Sequence, residues 1–390
     1  MEQKKLTDSC FQEKPIRVLQ VTGRMNRGGA ETMLMNIYRN IDRSKVQFDF
    51  VSFSGEGHYD SEIHRFGGNV FYVDLPKGLG PLGILINLVK LMKEKGPYDI
   101  VHAHTLHNIG IVLLAARIVG IKVRIAHSHS TQDAPYESLV RKLYHRLMGL
   151  LIKINATCYL ACGKEAGKYL FGKAFSNKGI VLPNAVEIEK FIDVPEEEIK
   201  KIKYELKIEE NMLTICHIAR MSEVKNHIYS LKIAKELARR NYNFRMFFIG
   251  DGVLREKLEK EVKENNLENR VIFLGVRDDI PKLLKACDVF LMPSLFEGLP
   301  VALIEAQAAG IHCVVSNTIT SEADMGIGLV NYVDLKDPIE TWVDAICRAK
   351  NAKRPKKELI HNSLTQKGYN VKTSVENIVH IYVNNIRSSN

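Results

Sequence analysis

One stretch decides the fold: IRVLQVTGRMNRGGAETMLMNIYRNI, residues 16–41. Its first seven residues, Ile16–Thr22, are mostly apolar or β-branched and predict a buried strand. A loop with Gly28 and Gly29 follows, and ETMLMNIYRNI then has the character of a helix. A strand, a loop and a helix in this order are the repeating unit of a parallel α/β sheet.

The same alternation continues along the chain. Further strand-like runs in the first half are FDFVSF, NVFYVDL, DIVHAH, VRIAHSH and TCYLACG, and helical stretches such as GILINLVKLMKEKG lie between most of them. The second half restarts with LTICHIA, FRMFFIG, RVIFLGV, DVFLMPS and HCVVSN. We therefore predict two doubly wound α/β domains, for which 390 residues are sufficient.

The boundary between the two domains is predicted near Val186. It lies within the last extended segment, GIVLPNAVEIEKF, residues 179–191, just before the composition shifts to the charged helical segment DVPEEEIKKIKYELKIEEN. Residues 1–185 then form the first domain and residues 186–369 the second.

The tail VKTSVENIVHIYVNNI predicts a final helix within residues 370–390, with Thr373 or Ser374 as its N-cap. Its apolar face is formed by Val375, Ile378, Val379, Tyr382, Val383 and Ile386. This face must be buried, and we expect the helix to return across the domain junction.

The net charge of +10 indicates an anionic partner: a nucleic acid, a membrane surface or a phosphorylated substrate. Nucleic acid is disfavoured, because the cations do not interleave with aromatic side chains on a sheet or helix.

The seven cysteines are scattered, and only Cys158 and Cys162 are close in sequence. No spacing resembles a zinc site or a disulfide framework, so we expect a reducing cytosol. The N-terminal residues lack the apolar core of a signal peptide. The apolar run IGIVLLAARIVGI, residues 109–121, is too short to predict a transmembrane helix.

Ligands of open parallel sheets lie beyond the carboxyl ends of the strands. In the second domain, Arg220 and Lys225 follow LTICHIA, and two cations at a strand end can hold a diphosphate. The strand within RVIFLGV ends at Gly275, and Val276 and Arg277 come directly after it at the same rim. The adjacent Asp278-Asp279 is not a DxD motif, and we expect it at the loop surface.

The stretch FEGLPVALIEAQAAG follows the next strand and carries two carboxylates. Pro300 is typical of the first position of a helix, and Gly310 is typical of the position after its end. Glu297 then lies before the helix and Glu305 inside it. The N–H groups of the helix start suit an anion, whereas carboxylates suit sugar or ribose hydroxyls. Together these strand ends predict a nucleotide-sugar site.

The first domain offers pairs of histidines at two strand ends. His127 and His129 end VRIAHSH, and His102 and His104 end DIVHAH. Alternate residues of a strand share a face, so His127 and His129 could chelate a metal as in hydrolases. No acidic set converges on them in sequence, and we favour a hydrogen-bonding role for His127 and structural roles for His102 and His129.

These motifs resemble the GT-B-fold retaining glycosyltransferases of family 4, especially those of bacterial capsule and exopolysaccharide assembly. The resemblance covers nearly the whole chain and rests on RGGAET, VRIAHSH, VLPNAVEIEKF, IARMSEVKNH, FFIGDG and the E-x7-E motif of FEGLPVALIEAQAAG. It implies two Rossmann-like doubly wound domains facing a central cleft. PNAV departs from the commoner PNGV, and the segment after Asn317 is less typical.

The resemblance implies which residues bind the phosphates and contact the reacting sugar. Arg220 and Lys225 would bind the donor diphosphate, and the loop of Gly28 and Gly29 would approach it from the other domain. His127 would touch the donor sugar near its reacting carbon.

The resemblance also implies contacts with the remaining parts of the donor. Glu297 would bond the donor sugar, helped by the amides near Gly298 and Leu299. Glu305 would bond the ribose hydroxyls, and the backbone of Val276–Arg277 would meet the base.

The implied reaction transfers a sugar from a UDP-sugar to a saccharide or lipid-linked saccharide, with retention and without a metal or other cofactor. The basic segment SLVRKLYHRLMGLLIKI, Ser138–Ile154, either lies on an anionic bilayer or packs as an ordinary amphipathic helix. The expected location is the cytoplasm or the inner face of the plasma membrane. The alternatives are a nucleotide-sugar epimerase of the same fold and a metal-dependent hydrolase that uses His127 and His129.

Overall fold

A computed structural model describes residues 14–73, 80–131 and 138–389. Cys10 and the N-terminal segment without a signal core lie outside these ranges. The chain divides into two compact units. Unit 1 contains residues 1–185 and 370–390, and unit 2 contains residues 186–369.

Unit 1 is built on a seven-stranded parallel sheet with the order β3-β2-β1-β4-β5-β6-β7. Its strands are β1 (Ile16–Thr22), β2 (Val46–Ser52), β3 (Val70–Tyr72), β4 (Ile100–Ala103), β5 (Val123–Ser128), β6 (Cys158–Ala161) and β7 (Gly179–Val181). Its helices before residue 186 are α1 (Gly29–Asn40), α2 (Asp60–Arg65), α3 (Gly80–Lys95), α4 (Ile109–Val119), α5 (Leu139–Asn155), α6 (Lys164–Phe171) and α7 (Lys173–Lys178).

Unit 2 is built on a six-stranded parallel sheet with the order β10-β9-β8-β11-β12-β13. Its strands are β8 (Leu213–Ile218), β9 (Phe244–Ile249), β10 (Val271–Gly275), β11 (Val289–Met292), β12 (His312–Ser316) and β13 (Val330–Val333). Its helices are α8 (Ile188–Ile192), α9 (Glu196–Glu205), α10 (His227–Arg239), α11 (Arg255–Glu264), α12 (Ile280–Ala286), α13 (Val301–Ala308), α14 (Ile339–Asn351) and α15 (Lys357–Gln366).

The predicted α/β fold with two parallel sheets is confirmed. In each sheet the strand order reverses once, between β1 and β4 in unit 1 and between β8 and β11 in unit 2. At such a reversal the connections before and after it leave toward opposite faces, which opens a crevice at the carboxyl ends of the two strands. The loops after β1, β4, β8 and β11 are therefore the places where the fold favours ligand binding.

The last helix, α16 (Val371–Ser389), belongs to unit 1. The predicted cap at Thr373 or Ser374 is wrong, because the Asn370 side chain accepts a hydrogen bond from the Lys372 backbone N–H and starts the helix earlier. The predicted apolar face is confirmed, since its residues pack on the core of unit 1. Tyr382, for example, is fully buried against Phe48.

No helix in the described ranges has both the length and the apolar character needed to cross a membrane. The six cysteines within these ranges are free thiols.

Candidate functional site

Backbone contacts hold the loops at the carboxyl ends of β8, β9 and β10 against each other. The backbone N–H of Met221 donates to the carbonyl of Asp251 at 2.9 Å, and that of Gly250 donates to Gly275 at 2.8 Å. Gly250 has a φ of +132°, and a Cβ at this position would lie 2.2 Å from the carbonyl oxygen of Ala219. Only glycine fits this close approach, which fixes the loop that contains Arg220.

The two predicted phosphate-binding cations differ in their surroundings. The Arg220 side chain is exposed and has no hydrogen-bond or ion-pair partner within the described ranges. Lys225, by contrast, ends a short 3-10 turn and forms an ion pair with Glu297 through its Nζ and the Oε1 of the carboxylate. Arg220 can therefore bind an anionic ligand without first breaking an ion pair, whereas Lys225 is already paired.

Glu297 is held in place from two sides. Its side chain is only 9% exposed, and its Oε1 accepts a hydrogen bond from the Ser294 hydroxyl at 2.8 Å as well as from Lys225. Lys225 follows β8 and Glu297 follows β11, the two strands at which the strand order reverses. This topology explains why residues 72 positions apart in sequence meet.

Helix α13 begins one residue later than predicted. Pro300 is not its first residue but its N-cap, with an extended backbone at φ −73° and ψ 109°. Gly310 follows the helix in the left-handed conformation, φ +72°, as predicted. Leu299 is buried and Gly298 is half-buried in the turn before the helix. A helix start leaves backbone N–H groups without partners inside the helix, and such groups suit an anion.

The Glu305 carboxylate is half-buried, and within the described ranges it has no hydrogen-bond or ion-pair partner. Burial raises the pKa of this carboxyl from 4.5 to about 7. A carboxylate removed from water without a partner is unfavourable for the free protein, and a ligand with hydroxyl groups would supply the missing donors.

Val276 and Arg277 follow β10. The Val276 side chain is 54% exposed, whereas the Arg277 guanidinium donates two hydrogen bonds to Asp279 and one to Glu205. Asp279 is therefore half-buried and structural, which corrects the expectation of a surface position, while Asp278 is exposed as expected. The Arg277 side chain is occupied, so a ligand here would meet the backbone and the exposed Val276 side chain.

In unit 1, Gly28 precedes helix α1 in an extended conformation, and the exposed Gly29 is its first residue. A Cβ on Gly28 would lie 2.3 Å from the carboxylate of Glu31, a flexible group. Gly28, as the N-cap, has no side chain with which to cap this helix start.

His127 is fully buried at the end of β5. Its Nδ1 lies 3.1 Å from the Nε2 of His102, and its Nε2 has no partner within the described part of the chain. His127 and His129 lie on one face, with ring centroids 4.0 Å apart. Burial lowers the pKa of His102 to about 3, that of His129 to about 4 and that of His127 well below its ordinary value. These rings are therefore neutral at physiological pH.

Three of the histidines could in principle hold a metal ion. Ring nitrogens of His102, His104 and His127 lie within 4.8 Å of one another. Both nitrogens of His102 and of His104 already take part in hydrogen bonds, and the group contains no carboxylate. A metal ion there would have to replace the hydrogen bond between His102 and His127, so the residues fit a hydrogen-bonded cluster better than a metal site.

The structure thus joins Lys225 directly to Glu297 and leaves Arg220 and Glu305 without partners among the described residues. Sequence reasoning missed Ser294, whose position three residues before Glu297 at a strand end was an available signal. It also missed the contacts of His102 and Tyr382, which are 280 residues apart and carry no local signal.

Comparison with known proteins gives concordant results for both units. Residues 27–190 match the family described as Glycosyltransferase Family 4, and residues 198–363 match that described as Glycosyl transferases group 1. The chain is 42% identical to EpsF of Bacillus subtilis (strain 168), which is named as a glycosyltransferase, and the match covers 94% of this chain and 96% of EpsF.

A more distant relative and a solved structure also match most of the chain. The UDP-Gal:alpha-D-GlcNAc-diphosphoundecaprenol alpha-1,3-galactosyltransferase of Escherichia coli is 30% identical over 77% of this chain and 78% of its own length. The crystal structure of Anabaena HepE in complex with UDP-glucose has a TM-score of 0.69 at 19% identity, and covers 96% of this chain and 98% of HepE.

Proposed function

The chain belongs to glycosyltransferase family 4, and we propose that it transfers a sugar from a UDP-sugar to a hydroxyl of a saccharide or lipid-linked saccharide in cell-surface polysaccharide synthesis. The observation that carries this proposal is the arrangement at the strand reversal of unit 2. There the ion pair of Lys225 and Glu297, the unpaired Arg220 and the start of α13 follow adjacent strands.

The diphosphate would be bound by Arg220, Lys225 and the first turn of α13. The bond between the anomeric carbon and the diphosphate oxygen breaks during transfer, and negative charge then collects on the departing UDP. Fixed cations and helix N–H groups stabilise that charge most in the transition state. This arrangement supplies what a metal ion would otherwise supply, so we propose transfer without a metal.

The two carboxylates would bind the two sugars of the donor. Glu305 would accept hydrogen bonds from the ribose hydroxyls, which supply the donors that its carboxylate lacks in the free protein. Glu297, held by Lys225 and Ser294, would accept from hydroxyls of the transferred sugar. His127 would donate to the same sugar, and the new bond would retain the configuration of the anomeric carbon, as the family resemblance implies.

We propose a lipid-linked acceptor at a membrane surface, because helix α5 exposes an apolar stripe. Six side chains between 51% and 84% exposed form this stripe: Leu139, Val140, Leu143, Leu147, Leu150 and Ile154. At about 100° per residue they fall within about 100° of one another around the helix. The opposite face is buried through Met148, Ile152 and Asn155, so the exposed stripe is not the one that packs on unit 1.

Charge along the same helix favours an anionic bilayer. Lys142, Arg146 and Lys153 are exposed along one side of the stripe, and α5 contains no Asp or Glu. Apolar side chains flanked by cations are the pattern of a helix that lies in a membrane interface. The E. coli relative, whose name specifies a diphosphoundecaprenol-linked acceptor, supports the same proposal.

A panel of UDP-sugars tests the proposed reaction. Each sugar is incubated with the purified chain and a lipid extract in excess EDTA, and UDP and the remaining donor are quantified. We expect one donor to release UDP only when the extract is present. Interconversion of UDP-sugars without UDP release would identify an epimerase. Activity that EDTA abolishes and a divalent ion restores would show that transfer needs a metal and would favour the metal-site hypothesis for His127 and His129.

A further inference from the structure

We infer that Tyr382 and Gln20 are positioning residues that, through His102, fix the proton of His127 on its Nε2 and so make this ring a hydrogen-bond donor. The inference deepens the proposed function and rests on it in one respect, namely that His127 contacts the transferred sugar. It concerns a buried network that extends from the last helix of the chain to the end of β5.

The network begins at the amide of Gln20, which is fully buried on β1. Its Nε2 donates to the Tyr382 hydroxyl oxygen at 3.1 Å, and its Oε1 lies 2.9 Å from the Nε2 of His104. In this orientation of the amide, its nitrogen donates to Tyr382 and its oxygen accepts from His104. His104 must then donate from Nε2.

The orientation of the Gln20 amide determines the direction in which the Tyr382 hydroxyl donates. Its oxygen already accepts from Gln20, and its other partner is the Nδ1 of His102 at 2.9 Å. The hydroxyl hydrogen therefore points to that Nδ1, which accepts and carries no proton. A neutral imidazole has one protonated nitrogen, so the proton of His102 is on Nε2.

The last step reaches His127. The Nε2–H of His102 donates to the Nδ1 of His127 at 3.1 Å, with the two rings stacked at an interplanar angle of 5°. His127 accepts at Nδ1 and must carry its proton on Nε2. That Nε2 is buried and has no partner in the described ranges.

A buried donor without an acceptor is unfavourable in the free protein and is usually explained by a ligand or water that completes it. Burial lowers the pKa of His104 as it does those of the other three histidines, and so removes the charged form, in which both ring nitrogens would donate. This hydrogen-bond relay, which runs from Gln20 to His127, thus leaves one defined donor at the end of β5. The donor is the Nε2–H of His127, and it is suited to an oxygen atom of the transferred sugar. The opposite orientation of the Gln20 amide would reverse every donor and leave His127 Nε2 as an acceptor.

Long-range nitrogen–proton NMR of the full chain with labelled histidine rings tests the relay directly, with His127→Gln used to assign the signal. We expect His127 to be protonated on Nε2 and bare on Nδ1. In Tyr382→Phe the donor to His102 is lost, and His127 should become a mixture of both tautomers. A proton on Nδ1 of His127 in the parent chain, or an unchanged tautomer in Tyr382→Phe, would overturn the inference.

Kinetics with the active UDP-sugar provide the second readout. Tyr382→Phe should lower kcat by about tenfold, the effect of one neutral hydrogen bond, and leave the affinity for free UDP unchanged. Tyr38→Phe is the matched control, because Tyr38 lies in the same core but its hydroxyl contacts Gln47 and Phe66. It should alter neither the tautomer nor kcat, and an equal loss of kcat in both variants would overturn the positioning role.

The contact of His127 with the sugar and the tautomer of His127 can be disproved separately. If His127→Ala turns over normally, the contact with the sugar proposed above is wrong, whereas the tautomer measured in the parent chain still decides the relay.

Discussion

At the scale of single residues, Glu305 shows how a binding group can oppose stability. Its pKa is higher in the folded chain than its ordinary value of 4.5, so between about pH 4.5 and pH 7 the folded state holds more protons than the unfolded state. Stability contributed by this carboxyl therefore falls as pH rises through that window and stays low above it. A site that binds ribose with an unpartnered carboxylate is expected to have this cost.

We predict that Glu305→Gln raises the melting temperature of the ligand-free protein and weakens UDP binding. The gain in melting temperature should grow from pH 5 to pH 8, because only the parent loses stability over this range. A gain of about 1 kcal/mol would correspond to about 2–4 °C. Thermal denaturation and calorimetric titration with UDP measure the two effects.

Glu268→Gln, at an exposed turn position of unit 2, is the matched control and should change neither quantity. A Glu305→Gln variant that binds UDP as tightly as the parent would remove Glu305 from the ribose role.

The ion pair of Lys225 and Glu297 should act as one catalytic unit. We predict that Lys225→Met and Glu297→Gln each lower kcat by about a hundredfold. The kcat of the double variant should be no lower than that of the less active single variant. The reason is that either change disturbs both the diphosphate contact and the orientation of the carboxylate. Acceptor-dependent UDP release measures all three.

The exposed pair of Lys168 and Glu165, 2.8 Å apart in unit 1, provides a control in which the same substitutions should have no effect. Multiplicative losses, about ten-thousandfold in the double variant, would show that the two site residues act independently.

At the scale of elements, the loop after β9 supports the site without touching a ligand in this account. We predict that Gly250→Ala lowers the melting temperature and weakens UDP binding, since the added Cβ would collide with the carbonyl of Ala219 and displace the loop of Arg220. Gly149→Ala in α5 meets open space and should be neutral or slightly stabilising. Equal behaviour of the two variants in denaturation and UDP titration would contradict this role.

Helix α5 should bind anionic membranes through its exposed stripe. We predict that the chain sediments with vesicles of phosphatidylcholine and phosphatidylglycerol, less so at high salt, and not with phosphatidylcholine alone. Leu143→Glu with Leu147→Glu should weaken this binding by more than about tenfold, because two apolar side chains no longer enter the interface.

Leu359→Glu, which changes an exposed leucine of α15 in unit 2, serves as the control and should leave vesicle binding unchanged. Failure of the parent chain to bind anionic vesicles would refute a membrane role for α5.

At the scale of the whole molecule, patterns that are local in sequence were predictable and contacts between distant segments were not. The strand Ile16–Thr22 was predicted to the residue, because an apolar run has clear limits. Strand β13 was missed, because Val330–Val333 follows the glycine-rich segment MGIGL, which is typical of a loop.

The same division applies to the candidate site. The motif around Glu297 and Glu305 identified both carboxylates, but nothing local indicated that Glu297 would pair with Lys225. The network of His102 and Tyr382 joins β4 to the last helix of the chain, and no local sequence pattern predicted it either. Such contacts depend on strand order, which the predicted alternation of strands and helices left open.

The most direct test of the central claim is the rate of acceptor-dependent UDP release by Arg220→Ala, compared with Arg348→Ala. Both arginines are exposed in unit 2, but only Arg220 lies at the strand reversal. We predict that Arg220→Ala lowers kcat by about a hundredfold, keeps the melting temperature of the ligand-free protein and loses part of the protection that UDP gives, while Arg348→Ala behaves as the parent. Normal turnover by Arg220→Ala would contradict the account and place the diphosphate elsewhere.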